Sequence, residues 1–254
     1  MIISSNIELE GITKISEVVG ITLKKMREYA KPGISTKDLD NYGMQILNDF
    51  GARSAPMLAY NFPGYTCISI NNEIAHGVPS DKKILKEGDL INIDVSAELN
   101  GYWSDNGGSF VLGQDFHNYS PLINASKVIL HNAISKIKSG VRISEIGKLI
   151  NNEAKKSGFK VIKNLTGHGV GRSLHEEPEE IANFKDHLDL RKFQKNSVVA
   201  IETFIATHSS YANPEKDGWT LTGDKGGCAA QHEHTIIVTD DKPKILTLCN
   251  AIWE

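Results

Sequence analysis

Leu90-Ile91-Asn92-Ile93-Asp94-Val95-Ser96-Ala97-Glu98-Leu99-Asn100-Gly101-Tyr102-Trp103-Ser104-Asp105-Asn106-Gly107-Gly108-Ser109-Phe110-Val111 reads as two strands joined by a tight turn. Asn100-Gly101 is the dipeptide a two-residue type I′ hairpin favours, because both central positions need positive φ. With the turn placed there, Leu99 pairs with Tyr102 and Ser96 falls opposite Asp105. Asp94, two residues before Ser96, shares its face. The two aspartates become diagonal neighbours, with Cβ atoms about 7 Å apart. Two like charges repel by about 4 kcal/mol at 4 Å and an effective dielectric of about 20, and by less at this range. On an otherwise apolar strand, that spacing calls for a cation between them.

The flanking chain supplies an α/β frame. Apolar residues at helical spacing predict helices over 7–30 and 36–50, the second capped by Ser35-Thr36. Residues 52–66 read as a loop, Tyr65 to Ile70 as a strand, and Asn71 to Pro79 as a loop carrying His76. Further helices are predicted over 121–138 and 144–157, followed by a strand from Phe159 to Ile162 and a loop, Thr166-Gly167-His168-Gly169-Val170-Gly171. Strands follow at 196–204 and 229–238, separated by a polar loop from Ser209 to Gly227 in which Trp219 is the conspicuous apolar residue.

The second half echoes the first. Asn196 to Phe204 resembles Gly88 to Ser96, which matches Glu202 to Asp94 at an offset of 108, while Gly140 matches Gly33 at 107. Two features at nearly one offset predict a duplication, with halves of about 7–115 and 120–240 fused into one catalytic domain over 1–254 and related by a pseudo-two-fold. An acidic strand from each half then meets in the middle.

Composition narrows the function. The chain has 254 residues, a formal net charge of −3, 40 % hydrophobic and 23 % charged residues. That charge offers no basic field for nucleic acid and no polybasic membrane patch. Cys67, Cys228 and Cys249 are scattered, without a CxxC pair, which favours a reducing, cytoplasmic setting over a disulfide framework. No apolar run reaches the length of a membrane span.

Asp94, Asp105, Glu202 and Glu233 fall on expected strands, and His168 lies between two glycines. Any one of these acids alone would ordinarily face solvent. Asp94 and Glu202, however, lie in apolar runs that read as buried on both faces, and a buried acidic cluster is untenable without cations. Oxygen-rich ligation with one imidazole differs from structural zinc sites. It suits Mn, Fe or Co, and four carboxylates balance two divalent ions. Water shared by two such ions ionises near neutral pH, its pKa lowered from 15.7 toward about 7, which describes a hydrolase. His76 and His175 stand in loops at expected strand ends. His232 and His234 flank Glu233 and should point away from it. His117, His131, His187 and His208 read as surface residues. Gly167-His168-Gly169-Val170-Gly171 does not fit Gly-x-Gly-x-x-Gly, and HExxH and GxSxG are missing.

Several blocks together resemble the type I methionine aminopeptidases in their compact bacterial form. They are Cys67 to Asn71, His76 to Pro79, Asn92 to Val95, Gly101 to Asp105, Thr166 to Gly171 with His175-Glu176, Ala200 to Glu202, and Ala230 to Val238. The resemblance implies a pita-bread fold with an antiparallel sheet covered by helices. It implies five metal ligands, Asp94, Asp105, His168, Glu202 and Glu233, with Asp105 and Glu233 bridging two divalent ions (Co, Mn or Fe, with Zn admissible) and a shared hydroxide as nucleophile. It further implies that Glu202 handles the proton, His175 stabilises the oxyanion and His76 contacts the scissile nitrogen. Phe62, Cys67 and Trp219 would form part of the methionine pocket. The implied substrate is the N-terminal methionine of nascent chains with a small second residue, met at the ribosome by a monomeric enzyme. Thr203, Asn106 and Leu174 depart from the usual pattern. The competing expectations are a prolidase-like dipeptidase and a degenerate, metal-free binding protein.

Overall fold

A computed structural model describes residues 1–253. Helix α1 spans Asn6–Tyr29 and α2 Thr36–Asp49; β1 (Arg53–Ser54), α3 (Ala55–Tyr60), β2 (Cys67–Ile70) and β3 (Glu73–Ala75) follow. The hairpin is β4 (Leu90–Leu99) and β5 (Tyr102–Val111). The second half runs α4 (Ser120–Lys136), α5 (Ile143–Lys156), β6 (Lys160–Val161), β7 (Gly167–Gly169), β8 (Glu176–Ile181) and β9 (Val198–Ala206). It ends with β10 (Ala212–Pro214), β11 (Leu221–Gly223), β12 (Ala229–Ile237) and β13 (Lys244–Ile245).

The hairpin has the expected register: Leu99 pairs with Tyr102, Ser96 with Asp105 and Asp94 with Gly107. Asn100 and Gly101 hold φ of 53° and 82°, the left-handed pair that a type I′ turn needs. Strand alternation sends Ile91, Ile93, Val95 and Ala97 into the main core and leaves Asn92, Asp94 and Ser96 on the opposite face. The principal sheet is antiparallel and runs β1-β4-β5-β12-β9-β7-β8. Helix α1 lies on β4 and β5, and α4 lies on β9 and β12. Helix α2 packs on α1, and α5 on α4.

The local arrangement repeats. Gly33 N donates to Leu85 O and Gly140 N to Phe193 O, each at 2.9 Å. A single bridge joins Ser35 to Ile84, and another joins Arg142 to Lys192. Ser35 caps α2 in a reciprocal box with Asp38, whereas Arg142 gives α5 no side-chain cap.

The seam between β5 and β12 differs from the other central ladders. One residue pair, Gly108 with His232, is in ladder register. Side chains supply the remaining stitches. Thr235 Oγ1 donates to Asp105 O (2.7 Å), Ser109 Oγ donates to Gln231 O (3.1 Å), and Ser104 Oγ donates to Thr235 Oγ1 (3.1 Å).

Four stretches expected as loops contain short elements. Residues 52–66 hold β1 and α3, 71–79 hold β3, and 166–171 hold β7. Residues 209–227 hold β10 and β11, which join β3 in a small second sheet. Segments of two to six residues are too brief to display a hydrophobic period, so composition read them as loops.

Candidate metal centre and active site

A cleft of about 390 Å³ opens on the polar face of the sheet. Its floor takes one side chain from each of five strands: Asp94 (β4), Asp105 (β5), His168 (β7), Glu202 (β9) and Glu233 (β12). Ligand atoms of Asp105, His168 and Glu233 lie within 4.8 Å of one another, and all three residues are buried. Asp94 and Glu202 are half-buried at its edge. Glu202 and Glu233 stand directly opposite in the β9–β12 ladder. A larger cavity, about 580 Å³, gathers Glu176, Glu177, Arg191 and Lys192. Their charges compensate one another and call for no cation.

The donors of the floor are incompletely satisfied. Asp105 Oδ1 and Glu233 Oε1 are buried without hydrogen-bond partners among the described residues. His168 Nδ1 donates to Gly169 O at 3.0 Å, which leaves the Nε2 lone pair aimed at the cluster, 3.8 Å from Asp105 Oδ2. This is the second hydrogen bond by which a metal-binding imidazole is usually oriented. Orphaned carboxylate oxygens beside a neutral, aligned imidazole fit divalent cations, in number as in chemistry.

Electrostatics agree with that fit. Burial, with repulsion among the acids, pushes the carboxyls of Asp94, Glu202 and Glu233 well above the carboxylate range. Burial raises Asp105 to about 6 against hydrogen bonds from Asp94 and Asn106. Burial, then the neighbouring His175, lowers His168 to about 3. Protein alone therefore favours the neutral form of these acids. Cations reverse this by stabilising the ionised form.

Sequence reading missed the support behind the floor. Gln231 Nε2 donates to Glu233 Oε2 at 3.0 Å and to Glu202 Oε2 at 3.5 Å. Asn92 Nδ2 donates to the side-chain Oε1 of Gln231 at 2.8 Å. Both were legible by alternation, since Gln231 shares a face with Glu233 and Asn92 with Asp94. Gly107 gives the amide room; a Cβ there would lie 2.3 Å from Gln231 Oε1.

His76 and His175 both border the cleft. His76 has a left-handed backbone, φ 53°. Both rings keep some solvent contact while protein crowding lowers their pKa. The His175 ring lies 4.0 Å from that of His168, and Tyr60 Oη lies 2.6 Å from His175 Nδ1. Phe62 and Trp219 meet edge to face at 5.4 Å, and with Cys67, Leu174 and Phe204 they supply the apolar wall. Burial and the nearby acids raise the Cys67 thiol well above its usual pKa, in keeping with a packing role.

His232 and His234 point away from the cleft as expected. His232 Nδ1 meets Ser126 Oγ at 2.9 Å, and His234 Nδ1 meets Thr247 Oγ1 at 2.8 Å. His117, His131, His187 and His208 are exposed. Asn106 donates to Val95 O at 3.0 Å and accepts from Asn250 at 3.0 Å, while Thr203 packs beside Ser126. Neither is among the residues lining the cleft; Leu174 is.

The sequence matches the model of metallopeptidase family M24 over residues 10–240. The chain belongs to metallopeptidase family M24. This M24 chain is 47 % identical over 247 residues to methionine aminopeptidase 2 of Bacillus subtilis (strain 168), covering 97 % of this chain and 99 % of the relative. It is 41 % identical to the methionine aminopeptidase of Staphylococcus epidermidis (strain ATCC 12228), covering 97 % and 98 %. Its fold superposes on the crystal structure of methionine aminopeptidase from Thermotoga maritima with a TM-score of 0.92 at 31 % identity, over 97 % and 99 % of the two chains. Prolidase from Pyrococcus furiosus shares the fold, with a TM-score of 0.78 at 24 % identity, and this chain spans 65 % of its length. The architecture is thus the pita-bread fold, a mixed α/β structure on an antiparallel sheet.

Proposed function

We propose that this M24 peptidase removes N-terminal methionine from polypeptides with a small second residue. The carrying observation is the acidic floor: five candidate ligands on five strands, with two buried carboxylate oxygens lacking partners among the described residues. Asp94, Asp105, His168, Glu202 and Glu233 would hold two divalent ions, Mn, Fe or Co with Zn admissible. When bound, such ions supply Lewis acidity and water ionised near neutral pH.

The chain's own groups account for the remaining chemistry in this reading. Glu202 accepts a proton on the cleft side and delivers it to the departing amine. His175 donates to the carbonyl oxygen as charge develops there. His76, which also lines the cleft, contacts the scissile nitrogen. Phe62, Cys67 and Trp219 receive the methionine side chain. The apolar wall is set against the acids of the floor, so a substrate can place its side chain against one and its ammonium toward the other.

The partners in this proposal are nascent N-termini, met by a monomer at the ribosome. A cytoplasmic location rests on three free cysteines. The repeated glycine and bridge contacts support one catalytic domain of two duplicated halves, 7–115 and 120–240.

Chelation with metal add-back, assayed on Met-Ala-Ser and on an Xaa-Pro dipeptide, tests the assignment. Metal-dependent release of methionine alone is expected. Preference for Xaa-Pro, or activity that survives chelation or Glu233→Ala, would overturn it.

A further inference from the structure

Tyr60 ends α3, and His175 lies in the turn before β8, 115 residues further along the chain. Their contact crosses the cleft that both side chains line. Tyr60 Oη is 2.6 Å from His175 Nδ1, with ring centroids 5.7 Å apart and planes at 54°. His175 Nε2 has no hydrogen-bond partner among the described residues, and the other flank of the ring rests on His168. One nitrogen is thus held by protein and the other is open.

We propose that Tyr60 is a positioning residue: its hydroxyl donates to His175 Nδ1, holds the ring as the Nε2–H tautomer and turns that proton into the cleft. The proposal rests on the reading of His175 as donor to the substrate carbonyl oxygen. The direction of the bond follows from relative strengths. A phenol is a stronger donor than a neutral imidazole N–H, and an imidazole nitrogen is a stronger acceptor than a phenol oxygen. In a neutral histidine, the bond made by one nitrogen fixes the protonation of the other. The two bonds reinforce each other, because donation from Nε2 enriches the ring and makes Nδ1 the better acceptor.

The backbone fixes where the hydroxyl sits. Ser54 caps α3 through Met57 N at 3.4 Å and also donates to Tyr65 O at 2.8 Å. Asn61 closes the helix in a left-handed conformation, φ 58°. Tyr60 is therefore placed by a helix bounded at both ends, although the residue is 46 % exposed. Partial exposure of the residue together with engagement of its hydroxyl marks a side chain kept for its polar end.

The test uses ¹⁵N-histidine-labelled protein loaded with diamagnetic Zn²⁺. Two-bond ¹H–¹⁵N correlations report which His175 nitrogen carries the proton. Nε2 is expected in the native protein, and averaged tautomer shifts in Tyr60→Phe. On Met-Ala-Ser, Tyr60→Phe should lower kcat about 10-fold with KM nearly unchanged, a fraction of the ~100-fold or greater loss expected for removing a direct oxyanion donor in His175→Ala. Added to His175→Ala, Tyr60→Phe should have no further effect. Protonation at Nδ1 in the native protein, an unchanged kcat in Tyr60→Phe, or an effect that persists without His175 would overturn the proposal. If the native protein fails to hydrolyse Met-Ala-Ser, the functional reading falls, and the tautomer measurement still decides whether Tyr60 orients His175.

Discussion

Glu202 and Glu233 are paired Cα to Cα across the β9–β12 ladder, so two acids face each other at the centre of a buried sheet. Gln231 is the polar side chain that donates to both. An arrangement so unfavourable for protein alone states what it is built to hold, and it sets opposite requirements for stability and for activity.

Glu233→Gln should separate the two. It replaces an acid that burial and its acidic neighbours disfavour with a neutral isostere, so the metal-free variant should melt higher than the metal-free parent. A gain of about 1–2 kcal/mol corresponds to a rise of roughly 2–8 °C in a domain of this size. Its methionine release should fall at least about 100-fold with the loss of a ligand. Melting with chelator and turnover with metal check both arms; a lower metal-free Tm would contradict the electrostatic account.

The metal-free protein should also gain stability as pH falls from the alkaline side toward about 6.5. Asp94, Glu202 and Glu233 carry raised pKa values, and Asp105 is at about 6. The folded state therefore binds protons that the unfolded chain releases, and the penalty, full at high pH, is relieved as protons enter. Below about 6.5, the ordinary histidine pKa, the gain should flatten, and it should reverse once the unfolded carboxylates also take up protons toward about 4. His168, His232 and His234 are held neutral at about 3, while their unfolded counterparts take up protons. With metal bound, protons compete with the ions, so acidification should only destabilise. Scanning calorimetry across pH, with chelator and with Mn²⁺, distinguishes these curves.

Gly107→Ala should act through Gln231. Gly107 has an ordinary strand backbone, so the added methyl meets no conformational penalty, only the amide at 2.3 Å. Displacing that amide frees both glutamates, and Mn²⁺ affinity should drop by about 10- to 100-fold, as for other lost outer-shell partners. Gln231→Ala should weaken binding similarly, and the double variant should be no worse than either single one. Calorimetric titration decides; additive losses would place the effect of Gly107 elsewhere.

Arg142→Ser should stabilise the chain. Position 142 precedes α5 without a side-chain cap, and Glu145 already occupies the third helical position. The change would create the reciprocal box that Ser35 and Asp38 make on α2. The expected gain is about 1 kcal/mol, and Ser35→Ala should lose a similar amount. Denaturant unfolding of the metal-bound protein measures both.

The acidic strands and the hairpin register were legible because their signals are local: Asn100-Gly101 fixes a turn, and alternation fixes faces. The helices were legible from their spacing. Helix α3 was not, although Ser54 with Pro56 two residues later is a capping signature; six residues carry too little periodicity to override a run rich in proline, glycine and aromatics. Tyr60 carries no sequence signal at all, since its partner lies 115 residues away and only the closed fold brings them together. Strands β3, β10 and β11 share that difficulty. Their three-residue lengths are defined by mutual pairing.

The order of strands in space differs from their order of synthesis. β12 lies between β5 and β9, yet it is made after both. Until residues 229–237 leave the ribosome, β5 and β9 each present an unpaired edge, and the two halves lack their shared spine. The hairpin can form early, but its two aspartates wait for Glu233. Chains that end prematurely keep exposed β edges and an incomplete acid set, which makes them targets for chaperones and proteases. On the proposed ligand set, metal occupancy would therefore double as a test of completion: a fully liganded centre would certify that the last central strand has been inserted.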